Sequence, residues 1–377
     1  MVRLPWRRGS AQDGPRSPLL SWTAVVPVLA LVLLALTYGH HLGGVLVGVV
    51  ALVLAGAVLA AVHHAEVIAH RVGEPFGSLI LAVAVTVIEV ALIVTLMASG
   101  GHDTATLARD TVFAAVMITS NGIVGISLLV ASLRYGVTLF NSEGSGAALA
   151  TVTTLATLSL ALPTFTTSEP GPQFSGTQLT FAALASLALY LLFVLTQTGR
   201  HRDFFLPVVP STTDPAAEGQ HAEPPSRQVA MTSLVLLTVA LVAVVGLAKV
   251  ESPAIESGVD AAGFPPTFVG VVIALLVLLP ETLAALRAAL QERTQISLNL
   301  AYGSAMASIG LTIPAIAIAS IWLSGPLVLG LGSTQLVLLA LTVVVSALTV
   351  VPGRATRLQG GVHLVVFAAY LFLSIKP

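Results

Sequence analysis

The chain has little charge and no cysteine. Only 9% of its 377 residues are Asp, Glu, Lys or Arg, whereas soluble domains carry about 25%. The lack of cysteine excludes disulfides, thiolate metal sites and cysteine nucleophiles. Sixteen basic and seventeen acidic residues leave a net charge of -1, which gives no support for nucleic-acid binding. No Walker motif or glycine-rich nucleotide loop is present, so we expect no nucleotide and no cofactor.

Long apolar runs dominate the sequence, which is 56% hydrophobic with a mean hydropathy of +0.96. A helix needs about 20 mostly apolar residues to cross a bilayer. Eleven runs meet this requirement, at about 19–37, 43–62, 76–98, 111–133, 147–163, 177–197, 229–248, 266–286, 296–322, 333–351 and 361–375. Backbone groups in lipid must pair within each segment. The sequence therefore predicts an all-α integral membrane protein with eleven transmembrane helices.

Positive charge alternates between the predicted loops. One set of loops and termini contains thirteen of the sixteen Lys and Arg residues, and the other contains only Arg109, Lys249 and Lys376. Because cytoplasmic loops are enriched in Lys and Arg, this bias predicts a cytoplasmic N-terminus and an external C-terminus in the inner or plasma membrane.

A polar, proline-rich stretch divides the chain near its middle. Five predicted spans precede it, if the first is set aside, and five follow it, so the two halves enter the membrane from opposite sides. This is the pattern of an inverted repeat, whose binding site lies at the repeat interface near the midplane. The predicted organisation is a cytoplasmic tail (1–18), an extra first helix (19–37), a first five-helix repeat (43–198), a cytoplasmic linker (199–227) and a second five-helix repeat (228–377).

Two acidic residues lie within predicted spans. Fifteen of the seventeen acids, Asp110 and Glu251 among them, fall in the tail, in loops or at span ends, whereas Glu89 and Glu281 do not. Both occupy the second helix of a five-helix half, and no Lys or Arg is embedded beside them. An acid at the helix centre costs roughly 2.5–3.5 kcal/mol on insertion scales, so such residues are functional candidates. A neutral acid hydrogen-bonded to a neighbouring helix is the alternative.

The helix after each acid contains polar side chains. Ser120 and Asn121 in the first half and Ser304 in the second are the candidate neutral ligands, although small polar residues also serve plain helix packing. Carboxylate, hydroxyl and amide oxygens suit Ca²⁺, Na⁺ or K⁺ better than Zn²⁺. Without a bound cation, two buried carboxyl groups take up protons. Cation and proton then compete for the same oxygen atoms, which is the chemical basis of antiport.

These segments resemble the calcium/cation antiporter superfamily, and within it the bacterial ChaA-type sodium/calcium–proton antiporters. The matching stretches are AHRVGEPFGSLILAVAVTVIEVALIVTLMASG, RDTVFAAVMITSNGIVGISLL, LLPETLAAL, NLAYGSAMASIGLTIP and GGVHLVVFAAYL. The resemblance implies a five-plus-five inverted fold with an extra first helix, and exchange of cytoplasmic Ca²⁺, Na⁺ or K⁺ for external H⁺. It also implies that Glu89 and Glu281 are the shared cation and proton ligands, with Asn121, Ser120 and Ser304 as neutral ligands.

A histidine cluster lies after the second predicted span. His63, His64 and His70, with Glu66, form a possible metal site or cytoplasmic pH sensor, or a solvated turn beside the membrane.

Two other functional classes remain open. A cation channel would use the two glutamates to line a pore, and a membrane-embedded enzyme would use them as an acid–base pair. Inverted halves favour a carrier over a channel. No nucleophile or electrophilic group accompanies the acids, so we do not expect an enzyme.

Overall fold

The computed structural model describes residues 21–40, 43–73, 76–98, 104–208, 225–323 and 325–377. The predicted tail, 1–18, lies outside the described residues. Thirteen α-helices follow one another in the described part: α1 Trp22–Thr37, α2 Gly44–Val72, α3 Phe76–Ala98, α4 Thr104–Met117, α5 Val124–Tyr135, α6 Ser142–Ala156, α7 Gly176–Thr198, α8 Arg227–Ala261, α9 Phe268–Val277, α10 Leu279–Leu290, α11 Thr294–Ala319, α12 Ser333–Val350 and α13 Arg357–Ile375.

The helices make this a multi-pass membrane protein. Among the described residues, eight continuous helical stretches are long and apolar enough to cross a membrane, and the bent pair α9–α10 gives a ninth. Two shorter apolar stretches, Trp22–Thr37 and Val83–Ala98, coincide with two further predicted spans. The predicted helical membrane fold is therefore confirmed, whereas the count of eleven stays a prediction.

Two predicted spans are interrupted near their middle, and a third ends in a π-helical segment, Thr157–Ala161, after α6. A π-helical segment, Ile118–Ile123, joins α4 to α5, and such segments recur at functional sites. Between α9 and α10 the chain bends by 54° at Leu278. Pro280 follows this break at the start of α10, where a missing backbone N–H is tolerated.

Helices α2 and α8 extend furthest beyond their predicted spans. Helix α2 continues to Val72 and α8 continues to Ala261, so residues assigned to loops from the sequence are helical.

Short antiparallel pairings join loops at the two ends of the helices. Strand β1 (Thr138–Leu139) pairs with β2 (Arg354–Ala355). At the other end, Gln173 forms an isolated antiparallel bridge with Val328. An entirely α-helical chain was predicted, and these pairings add to it because the loops run side by side in extended form. The end that contains β1 and β2 is called the linker face below, and the other is called the opposite face.

Helix α11 lies at the centre of the larger apolar core. It contacts α3, α4, α5, α6, α7 and α10. A Cβ atom at Gly310 would lie 2.6 Å from Cβ of Tyr190, so glycine permits the close approach of α11 to α7. A second core joins α1, α2, α3 and α8, and the extra first helix packs against α2 and α8.

The predicted flexible linker begins with a packed segment. Residues Arg202–Phe205 form a turn of 3-10 helix, and Phe205 is buried against Phe193 of α7, with ring centroids 5.5 Å apart. The start of the predicted linker, 199–227, is therefore packed against α7 rather than flexible. Residues 209–224 lie outside the part that the structure describes.

Candidate cation-binding site

Glu89 and Glu281 line the same internal cavity. The cavity has a volume of about 220 Å³ and lies between α3, α7, α10 and α11. It extends from the two glutamates to Gln197 and Asn299, near the linker face. The two acids that the sequence singled out are thus brought together from distant parts of the chain.

Glu89 is buried and hydrogen-bonded across helices. Its side chain is 5% exposed, and Ser308 Oγ donates to Glu89 Oε1 at 2.5 Å. Thr312 lies one turn further along α11, and its buried hydroxyl has no hydrogen-bond partner within the described residues. In the same part of the chain, neither Glu89 nor Glu281 forms an ion pair with Lys or Arg. No basic side chain in the described part of the chain therefore neutralises Glu89.

Glu281 occupies the first turn of α10, directly after the helix break. Its Oε2 atom is buried and has no hydrogen-bond partner among the described residues. The unpaired N–H groups of a helix start favour negative charge, by about 0.3–1 kcal/mol at exposed sites and more when partly buried. The break therefore places the carboxyl group of Glu281 in the cavity, beside these N–H groups. A bound cation or a proton would satisfy the free oxygen.

The predicted neutral ligands divide into two groups. Ser304 lines the cavity, together with Ser308 one turn later on α11. Ser120 and Asn121 are buried within the π-helical segment and do not line the cavity as described. Asn121 Nδ2 donates to Thr342 Oγ1 at 2.9 Å, and its Oδ1 is 3.2 Å from His363 Nδ1. In this conformation, then, Asn121 joins α12 and α13 to the π-helical segment.

His363 of α13 is a buried polar residue whose contacts with other helices the sequence did not reveal. Its side chain is fully buried, and Nε2 lies 3.1 Å from Thr349 Oγ1 while Nδ1 faces Asn121. The sequence signal that could have indicated its role is a lone histidine in an otherwise apolar helix. Both ring nitrogens have partners, so His363 connects three helical elements.

The three histidines of the predicted cytoplasmic cluster do not all lie on one side of α2. His64 is buried, and its ring lies 2.9 Å from Thr23 O and 3.3 Å from Ser233 Oγ, while His63 and His70 are exposed. No group of three His, Cys, Asp or Glu residues in the described part could hold a metal ion. The contacts of His64 join α2 to α1 and α8. A role for the three histidines in pH sensing stays a prediction.

Two acids that the sequence analysis placed at span ends are buried inside helices. Asp110 in α4 is 4% exposed and Glu251 in α8 is 3% exposed, and each has one carboxylate oxygen without a partner in the described structure. Asp110 is enclosed because α4 begins at Thr104, seven residues before the predicted span. Ser308, which lines the cavity and donates to Glu89, was not among the predicted residues, although it follows Ser304 by one helical turn.

Comparisons with known proteins agree with this architecture. The family model of the sodium/calcium exchanger protein matches residues 40–199 and 232–376. "Putative ionic transporter y4hA" of Sinorhizobium fredii is 46% identical over 363 residues, which cover 96% of this chain and 97% of that protein. "Sodium-potassium/proton antiporter ChaA" of Escherichia coli is 35% identical over 366 residues, covering 96% and 98%.

Solved structures share the fold. The structure of native YfkE aligns with a TM-score of 0.70 at 15% identity, over 94% of this chain and all of that one. The H⁺/Ca²⁺ exchanger CAX aligns with a TM-score of 0.66 at 15% identity, over 93% and 86%. At this identity the similarity is one of fold.

Proposed function

Because the chain belongs to the sodium/calcium exchanger family, we propose that it is a secondary antiporter that exchanges cytoplasmic Ca²⁺, Na⁺ or K⁺ for external H⁺. The family match supports a membrane transporter of cations. The relative described as a sodium-potassium/proton antiporter supports proton coupling and supports Na⁺ and K⁺ among the candidate ions. The observation that carries the proposal is the single cavity lined by Glu89 and Glu281, two acids without a basic partner in the described residues.

The proposed mechanism is competition between cation and protons for the two carboxylates. With both ionised, they supply two negative charges and oxygen ligands, which hard cations prefer. With the cation gone, two neighbouring charges in a low-dielectric cavity repel each other and are poorly solvated, so protons replace the cation. The empty, doubly ionised cavity is too costly to reorient through the bilayer. Cation movement in one direction is therefore coupled to proton movement in the other.

The neutral ligands in this proposal come mainly from α11. Ser304 lines the cavity and Ser308 already donates to Glu89, so both hydroxyls can turn an oxygen toward a bound cation. Asn121 and Ser120 would reach the cavity only after the π-helical segment rearranges, because Asn121 is engaged with Thr342 and His363. We assign them to a second conformation of the transport cycle.

Alternating access is supported by the two interrupted spans and by pairings at opposite ends. β1–β2 links the two halves at the linker face, and the Gln173–Val328 bridge links them at the opposite face. Each pairing joins the loop after the third helix of one half to the loop after the fourth helix of the other. This exchange of roles is expected for an inverted repeat, and the separate family matches to the two halves agree with it. The cavity extends toward the linker face, which the positive charge bias predicts to be cytoplasmic.

The proposal is tested by proton flux into vesicles that contain the purified protein and an internal pH dye. After a proton gradient is imposed, CaCl₂, NaCl and KCl are added separately to wild type, Glu89→Gln and Glu281→Gln. We expect at least one salt to drive proton movement in wild type and neither variant to respond.

Two results would reject the mechanism. If none of the three salts drives proton movement in wild type, the protein is not a cation/proton antiporter for these ions. If Glu89→Gln and Glu281→Gln respond like wild type, the two glutamates are not the shared binding site. Cation flux that persists without a coupled proton and does not saturate would instead indicate a channel. A Thr196→Val variant, on the exposed side of α7, is the matched control for substitution within a span.

A further inference from the structure

A second cavity at the opposite face contains a buried carboxylate with a free oxygen. This cavity has a volume of about 280 Å³ and lies between α4, α12, α13 and the residues before α9. Asp110 lines it and is 4% exposed, and its Oδ2 atom has no hydrogen-bond partner among the described residues. The other lining residues include Thr267, Ser333, Thr334 and Tyr370, all of which contain hydroxyl oxygens.

The donors around Asp110 all lie on one side of its carboxylate. Arg109 Nε and Nη2 each lie 2.8 Å from Oδ1, and Gln335 Nε2 donates to the same atom at 3.4 Å. Arg109 Nη1 also donates a hydrogen bond to Gly330 O at 3.3 Å. The guanidinium is therefore fixed beside Oδ1. Oδ2 is left without a donor in a cavity rich in oxygen atoms.

A purely structural role does not require an acid at this position. In the other half, the residues corresponding to Arg109 and Asp110 lie near Arg293, because the same spacing separates Arg109 from Ser120 and Arg293 from Ser304. By this spacing Asp110 corresponds to Thr294, and the neighbouring Gln295 joins the helices at the linker face. Its Oε1 accepts from Asn141 N at 2.7 Å, and its Nε2 donates to Ser145 and Asn299.

The two faces therefore differ in chemistry. An uncharged amide joins the helices at the linker face and has partners for both its oxygen and its nitrogen. At the opposite face an acid joins them and keeps one oxygen free. A buried charged oxygen without a partner is costly unless a ligand satisfies it. The backbone of Asp110 is also held firmly, since a Cβ at Gly270 of α9 would lie 2.9 Å from Asp110 C.

We propose that the Asp110 cavity is a second cation site, separate from the Glu89–Glu281 cavity, which binds a hard cation such as Ca²⁺ through Asp110 Oδ2 and neighbouring hydroxyl oxygens. The fixed positive charge of Arg109 weakens the site. We expect dissociation constants of about 10⁻⁴ to 10⁻³ M, the range of extracellular calcium modules. Its physiological meaning rests on the proposed exchange function and orientation: it would hold cations at the external mouth. Binding itself depends only on the cavity.

Terbium luminescence tests the site, because Tb³⁺ is a hard, oxygen-seeking ion that tyrosine sensitises and Tyr370 lines this cavity. The measurement uses the full-length Glu89→Gln/Glu281→Gln protein in detergent, in which the central carboxylates are removed. We expect saturable Tb³⁺ emission that Ca²⁺ displaces. Adding Asp110→Asn should weaken binding at least tenfold, whereas adding Arg109→Gln should tighten it, by about tenfold for loss of a nearby charge.

The opposed directions keep the test independent of folding damage, since an unfolded protein would not bind more tightly. Thr267→Val is a milder variant, expected to weaken binding about threefold while the elution profile stays monodisperse. Tyr370→Phe should abolish emission while radioactive ⁴⁵Ca²⁺ binding persists.

Emission absent from the double variant, or unchanged by Asp110→Asn, would overturn the second site. Failure of the exchange function would instead appear as missing proton flux in wild type, which these binding measurements do not use.

Discussion

Ser308 of α11 donates a hydrogen bond to Glu89 of α3, with Oγ and Oε1 2.5 Å apart. The two residues come from different halves of the chain, so the bond crosses the interface where the proposed cation site lies. A serine hydroxyl can donate to a carboxylate and can also turn its lone pairs toward a cation. We therefore propose that this hydroxyl serves both the empty and the cation-loaded states of the cavity.

Replacing Ser308 by alanine should impair cation binding. A hydrogen bond to a charged group contributes about 1.5–3 kcal/mol, so we expect the apparent KM for the transported cation to rise about tenfold or more. Ser308→Thr keeps a hydroxyl and should retain most of the affinity. Ser320→Ala, at the end of the same helix where the hydroxyl bonds to Ala317 O, is the control. Equal KM values for wild type and Ser308→Ala would show that the Ser308 hydroxyl does not contribute to cation binding.

Cation affinity should fall as pH falls. Protons that bind Glu89 or Glu281 must leave before the cation binds, so acid favours the protonated state and alkali favours the cation-bound state. With equal pH on both sides of the vesicle, KM should rise about tenfold per unit decrease in pH if one proton is displaced, and about a hundredfold if two are displaced. Initial rates of cation uptake across a pH series measure this slope. A KM independent of pH would contradict shared ligands.

Pro280→Ala should reduce transport without unfolding the protein. Alanine restores a backbone donor where the chain bends by 54°, so α9 and α10 can approach one continuous helix. Glu281 would then leave the first turn of α10 and lose the favourable helix start. Proton flux and thermal midpoint are measured together, with Pro253→Ala inside α8 as the control. Full flux in Pro280→Ala would show that the break is dispensable.

Asn299→Ala should release the start of the linker. Asn299 Nδ2 donates to Phe205 O at 2.6 Å, and its Oδ1 accepts from Gln295 at 2.8 Å. Leaving these groups unpaired costs about 1–3 kcal/mol. We expect a lower thermal midpoint and faster proteolysis between residues 199 and 227. Asp203→Ala changes an exposed residue of the same segment and should have no effect. Unchanged cleavage in Asn299→Ala would show that Phe205 packing alone holds the segment.

The sequence predicted the membrane fold, the antiporter family and the pairing of Glu89 with Glu281 in one cavity. An acid in an apolar span without a basic neighbour is a strong signal. Burying it costs free energy, so such a residue is a functional candidate by default. The family matches confirm the resemblance. The coarse fold followed from hydropathy alone, since lipid permits few alternatives to a helical bundle.

The positions of Asn121 and Asp110 required the structure. Asn121 lies in a π-helical segment, where the different number of residues per turn changes the face on which a side chain lies, and periodicity in the sequence does not reveal this. Asp110 was assigned to a span end because a hydropathy window excludes charged residues from a helix. The helix continues past it nonetheless, because Arg109 and Gln335 satisfy one oxygen of its carboxylate.

The most direct test of the account is a count of the protons released when the cation binds. Purified protein in weakly buffered detergent solution is titrated with the preferred cation while a pH dye reports release. Wild type should release up to two protons per Ca²⁺ bound, Glu89→Gln and Glu281→Gln fewer, and the double variant none. Tight cation binding by wild type without proton release, at a pH where the carboxyl groups are protonated, would contradict competition for Glu89 and Glu281.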